Sequence, residues 1–281
     1  MDKNFFLILL AFIWIILAII QDIKKREVEN WINFSLIIFA LTYRLFYSLF
    51  FDEWRFFLYG VIGLFIFLVL GNIFYYSRIF AGGDAKLLIA LGTILPFSLY
   101  FKENIKIFSI FILSLLLFGG IYGFIYSFFI IYSNKKKFFF FFKKDLEKRK
   151  FIFIFSIILA LILFIFSLFI NEIFFSFFSF LFIIFPLIYI YSKSLEELMV
   201  KEIETKNLTE GDWLYEEISI NKKIIKPNWE GLTKEEIELL KKHKKKVKIK
   251  QGIPFTPSFL FAFIFTLILW YSSRKFINFF F

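Results

Sequence analysis

The chain has 281 residues, 60% of them apolar, a mean hydropathy of +0.76, a formal net charge of +11 and no cysteine. The apolar share exceeds the roughly half usual for a soluble domain, which points to a membrane protein, and the missing cysteines exclude disulfides, cysteine-bound zinc and a thiol nucleophile. The 49 phenylalanines accompany abundant Ile and Lys, the joint signature of AT-rich codons, so the aromatic tracts carry no functional signal.

A helix crosses about 30 Å of hydrocarbon with about 20 residues. Eight apolar stretches near that length follow one another, at 5–20, 32–51, 56–76, 85–100, 105–132, 151–170, 174–191 and 255–271. The first has no short apolar core followed by a small-x-small cleavage site, so it reads as a retained span. The second carries Tyr43 and Arg44 near its middle. A guanidinium there needs a carboxylate, carbonyl or water, and a structural place lining the bundle interior is expected. The fourth is short and interrupted by Gly92 and Pro96; the sixth and seventh are separated only by Asn171, Glu172 and Ile173, which leaves seven spans possible.

This pattern predicts an all-α polytopic membrane protein of about eight transmembrane helices with a small α+β cytoplasmic subdomain. Its parts are a transmembrane core at 1–132, a basic loop at 133–150, a transmembrane hairpin at 151–191, the polar subdomain at 192–253 and a C-terminal helix at 254–281. Alternating the spans places 27 of the 34 Lys and Arg residues in one set of connections and six in the other. The richer set is assigned to the cytoplasm. Membrane topology therefore accounts for the net charge without nucleic acid. In the subdomain, Ser194 with Glu197 and Thr233 with Glu236 fit the capping box that opens a helix, and Gly211-Asp212 and Pro227-Asn228 read as turns. The basic run 241–250 either faces lipid head groups or is a solvated face. His243, the sole histidine, reads as an exposed helix residue.

Ionisable residues at a membrane boundary are costly unless they face protein or water. Asp22 follows the first span in Gln21-Asp22-Ile23-Lys24-Lys25-Arg26-Glu27-Val28-Glu29-Asn30-Trp31, and Asp84 opens the fourth in Phe80-Ala81-Gly82-Gly83-Asp84-Ala85-Lys86-Leu87. Two crossings separate them, so both lie at the same face. Two carboxyl groups sharing a proton are what aspartic proteolysis needs, one as base toward water and one as acid toward the carbonyl. By residue type alone each has an ordinary alternative: Asp22 as a helix flank, Asp84 as a helix N-cap after a Gly-Gly turn. Asp212 follows a glycine too, but lies in the polar subdomain and reads as a turn residue.

The wording of these segments resembles the type IV prepilin peptidase family, the Gly-x-Gly-Asp aspartic peptidases of membranes. Asp22, Ile23, Val28 and Asn30 are similar to the family's first catalytic motif, and Gly83-Asp84-Ala85-Lys86-Leu87 to its second, with Gly82, Gly83, Lys86 and Asn30 in support. Ala81 stands where the motif usually has glycine. The resemblance covers roughly residues 5–130. It implies Asp22 and Asp84 as the catalytic pair, no metal or cofactor, membrane lipids around the bundle, and substrates that are pilin-like or archaellin precursors with basic leader peptides, cut at the cytoplasmic membrane face. Bacterial relatives often add a zinc-binding cysteine region and N-methylate the product; the lack of cysteine here resembles the archaeal branch instead. Two further segments, Glu210-Gly211-Asp212 and Lys250-Gln251-Gly252-Ile253-Pro254-Phe255, are similar to archaeal pilin-processing members. A presenilin-like protease is expected to carry Tyr-Asp and Pro-Ala-Leu motifs, and neither occurs. A transporter or assembly platform would place polar groups deep in several spans or paired repeats.

Overall fold

The computed structural model describes residues 3–170, 172–220 and 223–280, with side chains described through residue 272. Its helices in chain order are α1 (Phe5–Lys25), α2 (Asn30–Phe51), α3 (Trp54–Tyr76), α4 (Gly82–Leu91), α5 (Phe101–Ser133), α6 (Lys135–Lys148), α7 (Lys150–Ile170), α8 (Ile173–Leu198), α9 (Lys234–His243) and α10 (Pro257–Phe280). Among the described residues, α1, α2, α3, α5, α7 and α8 are long and apolar enough to cross a membrane. Asn171, expected to help separate the sixth and seventh spans, lies outside the described residues; α7 ends at Ile170 and α8 begins at Ile173. The eighth expected span falls within α10, whose shorter apolar part is Pro257–Ser272. The chain forms two compact units, residues 1–125 with 253–281, and residues 126–252.

In the first unit, the fourth apolar stretch is not one helix. α4 has 10 residues, about 15 Å of rise, and the chain from Thr93 to Leu99 is not helical. Gly92 ends α4 where α3 comes close: a Cβ on Gly63 would fall 2.1 Å from the Gly92 carbonyl oxygen, and one on Gly92 2.5 Å from Phe67 Cβ. Irregular backbone among apolar helices must find its hydrogen bonds inside the protein. Arg44 supplies three of them and one more to α3. Its Nε donates to the Thr93 carbonyl (2.8 Å), Nη1 to that of Phe56 (2.8 Å), and Nη2 to those of Ile94 (3.0 Å) and Pro96 (2.8 Å). Asn4 Nδ2 donates to the Phe97 carbonyl and Asn104 Nδ2 to that of Ser98, each at 2.8 Å. The guanidinium also lies over the Phe56 ring, 4.4 Å from its centroid. Arg44 thus has the structural place in the bundle interior expected of it. Tyr43 donates its hydroxyl to the Lys3 carbonyl.

In the second unit, the segment expected as a basic loop at 133–150 is mostly the helix α6. Phe138 is its buried residue, packed against Phe142 one turn on and against Tyr191 of α8. The α7–α8 hairpin buries small residues, Ser156, Ala160 and Ser167 on α7 and Ser179 on α8, and turns its phenylalanines outward. Small residues let apolar helices approach closely where lipid provides no hydrophobic drive.

The polar subdomain has strands β1 (Val200–Glu204), β2 (Trp213–Leu214), β3 (Ile218–Ile220), β4 (Lys223–Ile225) and β5 (Lys246–Lys250). One antiparallel sheet has the order β1-β5-β2, and β3 pairs with β4 in a hairpin. Leu208, Leu214, Ile225, Leu232 and Leu240 form the centre of its thin core. The Thr233–Glu236 capping box opens α9 as expected. Ser194 does not open a helix: α8 continues through it to Leu198, and its buried hydroxyl donates back to the Ile190 carbonyl. The basic run 241–250 is split between α9 and β5, where Val247 and Ile249 point inward and the lysines outward. His243 is exposed at the end of α9, its Nδ1 3.0 Å from the Leu239 carbonyl.

Candidate active site

Asp22 lies in the last turn of α1 and is 7% exposed. The helix ends just beyond it, as Arg26 takes a left-handed conformation (φ 60°) and its N–H closes on the Asp22 carbonyl at 2.9 Å. The link to α2 is then fastened by Gln21, whose Oε1 accepts the Glu29 N–H. Asp84 lies in the first turn of α4 and is 9% exposed. It is not the N-cap that the Gly-Gly turn predicts: Ala81 is, and the Ala81 N–H reaches the Asp84 carboxylate, the backward contact that an acid at the third helical position makes.

That geometry explains the alanine in place of the motif's first glycine. Ala81 has φ −69° and ψ 161°, an extended conformation open to any residue, and it is exposed. The two glycines after it are not equivalent. A Cβ on Gly82 would meet only the Tyr75 ring at 3.7 Å, whereas one on Gly83 would come 3.2 Å from the Val28 nitrogen and 3.3 Å from its Cβ. Gly83 is therefore where the α1–α2 link and the start of α4 touch.

The two motifs meet at a second point. Lys86 Nζ donates to Asn30 Oδ1 at 2.7 Å, joining the first turns of α4 and α2. Asp22 is close enough for its charge to act on Asp84. The structure thus brings together Asp22, Asp84, Gly83, Lys86 and Asn30, and leaves Gly82 at the margin.

Thr256 is a member that sequence reading missed. Its backbone N–H (3.1 Å) and its hydroxyl (2.9 Å) both donate to Asp22 Oδ2. It stands directly before Pro257, the first residue of α10. Thr-Pro ahead of an apolar run is a helix-start signal, but no spacing rule ties residue 256 to residue 22. Asp212, by contrast, is the turn residue expected: Gly211 has φ 95°, the Thr209 N–H donates to the Asp212 carboxylate at 2.8 Å, and burial pushes that carboxyl above the usual range.

Two buried carboxylates on segments that meet, held by backbone and side-chain donors, can share a proton between an acid and a base. A model of the type IV leader peptidase family matches residues 9–132, which contain both. The preflagellin peptidase of Methanococcus maripaludis is 32% identical over 82 residues, 29% of this chain and 35% of that protein. The preflagellin peptidase of Methanocaldococcus jannaschii is 30% identical over 84 residues, 30% of this chain and 36% of that protein. The similarity spans about a third of each relative's length. No solved structure matches. Residues 9–132 therefore carry the sequence pattern of the leader peptidase family that the two aspartate motifs resemble.

Proposed function

We propose that this protein is a membrane aspartic endopeptidase that removes the leader from type IV pilin-like or archaellin precursors, with Asp22 and Asp84 as its catalytic pair. The reading is carried by two buried carboxylates, distant in sequence, whose segments meet through the Gly83–Val28 contact and the Lys86–Asn30 hydrogen bond, inside the stretch that matches the leader peptidase family. Archaellin precursors come first among the substrates, because both relatives named above are preflagellin peptidases.

In the reaction, one aspartate enters as carboxylate and the other as carboxylic acid. The carboxylate takes a proton from water as the water oxygen bonds to the scissile carbonyl carbon, and the acid gives its proton to the carbonyl oxygen. The tetrahedral diol then breaks its C–N bond: the proton gained by the base goes to the departing nitrogen, and one diol hydroxyl returns its proton to the aspartate that had acted as acid, which restores the pair. No covalent enzyme intermediate forms. Gly82, where a Cβ would meet only the Tyr75 ring at 3.7 Å, leaves room beside Asp84 for an extended substrate segment, while Gly83 is taken up by its contact with Val28. The basic connections next to both aspartates support a site at the cytoplasmic face, where a basic leader followed by an apolar helix would present its junction.

The test is cleavage of archaellin and pilin-like precursors by the purified protein in detergent, with the released leader identified by mass spectrometry. Asp22→Asn and Asp84→Asn, each shown to be folded by its unfolding transition, should each lose at least about a thousandfold in turnover, since base and acid act as one unit. Processing by either variant at near wild-type rate would overturn the assignment.

A further inference from the structure

We infer that Thr256 is a positioning residue of this site, which grips one oxygen of Asp22 and leaves the other oxygen to react. The inference rests on the Asp22–Asp84 reading above. An aspartate side chain turns about two bonds, and reaction needs its carboxylate in one orientation. Both Thr256 donors, the backbone N–H and the hydroxyl, converge on Oδ2, so that oxygen is occupied and Oδ1 is the one available to water.

A grip of this kind works only if the gripping residue is itself fixed. Thr256 is fully buried. Pro257 follows it, with φ set by the pyrrolidine ring. Phe255 precedes it, its ring lying against Gly119 of α5 so closely that a Cβ there would fall 2.5 Å from the ring. The Phe255 ring also meets those of Phe80, at 5.1 Å, and Phe259, at 5.9 Å between centroids. Phe80 precedes the Gly-Gly-Asp segment, so one dipeptide touches both halves of the pair: Phe255 through the residues leading to Asp84, Thr256 directly at Asp22. A threonine before a helical proline ordinarily spends its hydroxyl on its own helix start. That local role uses the hydroxyl oxygen as an acceptor; the hydroxyl hydrogen, given to Asp22, makes a separate bond that a purely local capping role leaves unexplained.

The experiment compares Thr256→Ser, which keeps both donors, with Thr256→Val, which keeps shape and loses the hydroxyl, in the full-length protein cleaving an archaellin precursor. A charge-assisted hydrogen bond of about 1.5–3 kcal/mol corresponds to about a tenfold to hundredfold change. Thr256→Val should lose that much in kcat with KM within about twofold, and Thr256→Ser should stay within about threefold of wild type in both. If Thr256→Val cleaves like wild type while Asp22→Asn is inactive, the positioning role is wrong and the aspartate pair stands. If Asp22→Asn cleaves, the pair itself is wrong. Equal losses in the serine and valine variants, or a rise in KM with kcat unchanged, would also overturn the positioning role. Should Thr256→Val fail to fold, Thr256→Ala lacks the same hydroxyl, imposes less bulk and is read by the same criteria.

Discussion

The α4 region of the first unit and the α7–α8 hairpin of the second are both strongly apolar, yet they are held by different means. α4 stops after 10 residues, and in the irregular chain behind it the carbonyls of Thr93, Ile94, Pro96, Phe97 and Ser98 are taken up by Arg44, Asn4 and Asn104. α7 is unbroken and α8 continues as one helix through Pro186, so apart from the bond that proline cannot make their backbones pair within themselves, with small residues between them: Ser156, Ala160, Ser167 and Ser179. Between residues 150 and 180 their side-chain bonds are local, such as the 2.6 Å contact between the Ser167 and Ser176 hydroxyls. A break in a helix among apolar neighbours demands named partners in fixed places, while an unbroken helix accepts almost any apolar residue that faces outward. Asp84 lies in the first turn of α4, the helix that this first kind of structure holds in place, which suits chemistry that needs two side chains held in register.

The contrast can be broken most directly at Arg44. Arg44→Met should destabilise the protein by on the order of 5 kcal/mol, because the carbonyls of Phe56, Thr93, Ile94 and Pro96 lose a charged donor in a buried place. Unfolding in detergent, by heat or added sodium dodecyl sulfate, reads the loss. A change under about 1 kcal/mol would mean that the irregular segment holds itself. A smaller effect is expected at the α3–α4 contact. Gly63→Ala, with its new Cβ driven against the Gly92 carbonyl, should cost about 3 kcal/mol by overpacking, seen in the same assay. The least effect belongs to the hairpin. Phe155, exposed on α7, should be replaceable by Leu with a change of about 0.5 kcal/mol or less. A loss as large as that of Gly63→Ala would show that the outward aromatics carry packing of their own and would erase the distinction.

Legibility in the sequence follows the same division. The long helices were readable because their apolar runs match the thickness of a bilayer, and Gly92 and Pro96 announced the interruption in the fourth. The Thr233–Glu236 capping box was readable since its two bonds are local, whereas the similar Ser194–Glu197 pattern misled, because the apolar face of α8 carries that helix on past it. The 133–150 segment looked like a loop from its charge; Phe138 and Phe142, one turn apart, make it a helix. In the site, Asp22, Asp84, Asn30 and Lys86 could be named from local wording, but their meeting could not. Arg44 could be placed in the interior, though its four carbonyl partners could not be foreseen.

Sequence by itself determined the membrane character, the approximate spans, the strongly basic connections and the two aspartate motifs. Each of these depends on composition or on residues within a turn or two of one another. Tertiary structure alone decided that Gly83 rather than Gly82 takes the close contact, that Ala81 is harmless because its backbone is extended, and that Arg44 completes a broken span. It also decided that Thr256, at the far end of the chain, closes on Asp22. Such pairings depend on which helix faces come together, and a hydrogen bond between residues 22 and 256 leaves no period or spacing for a sequence to display.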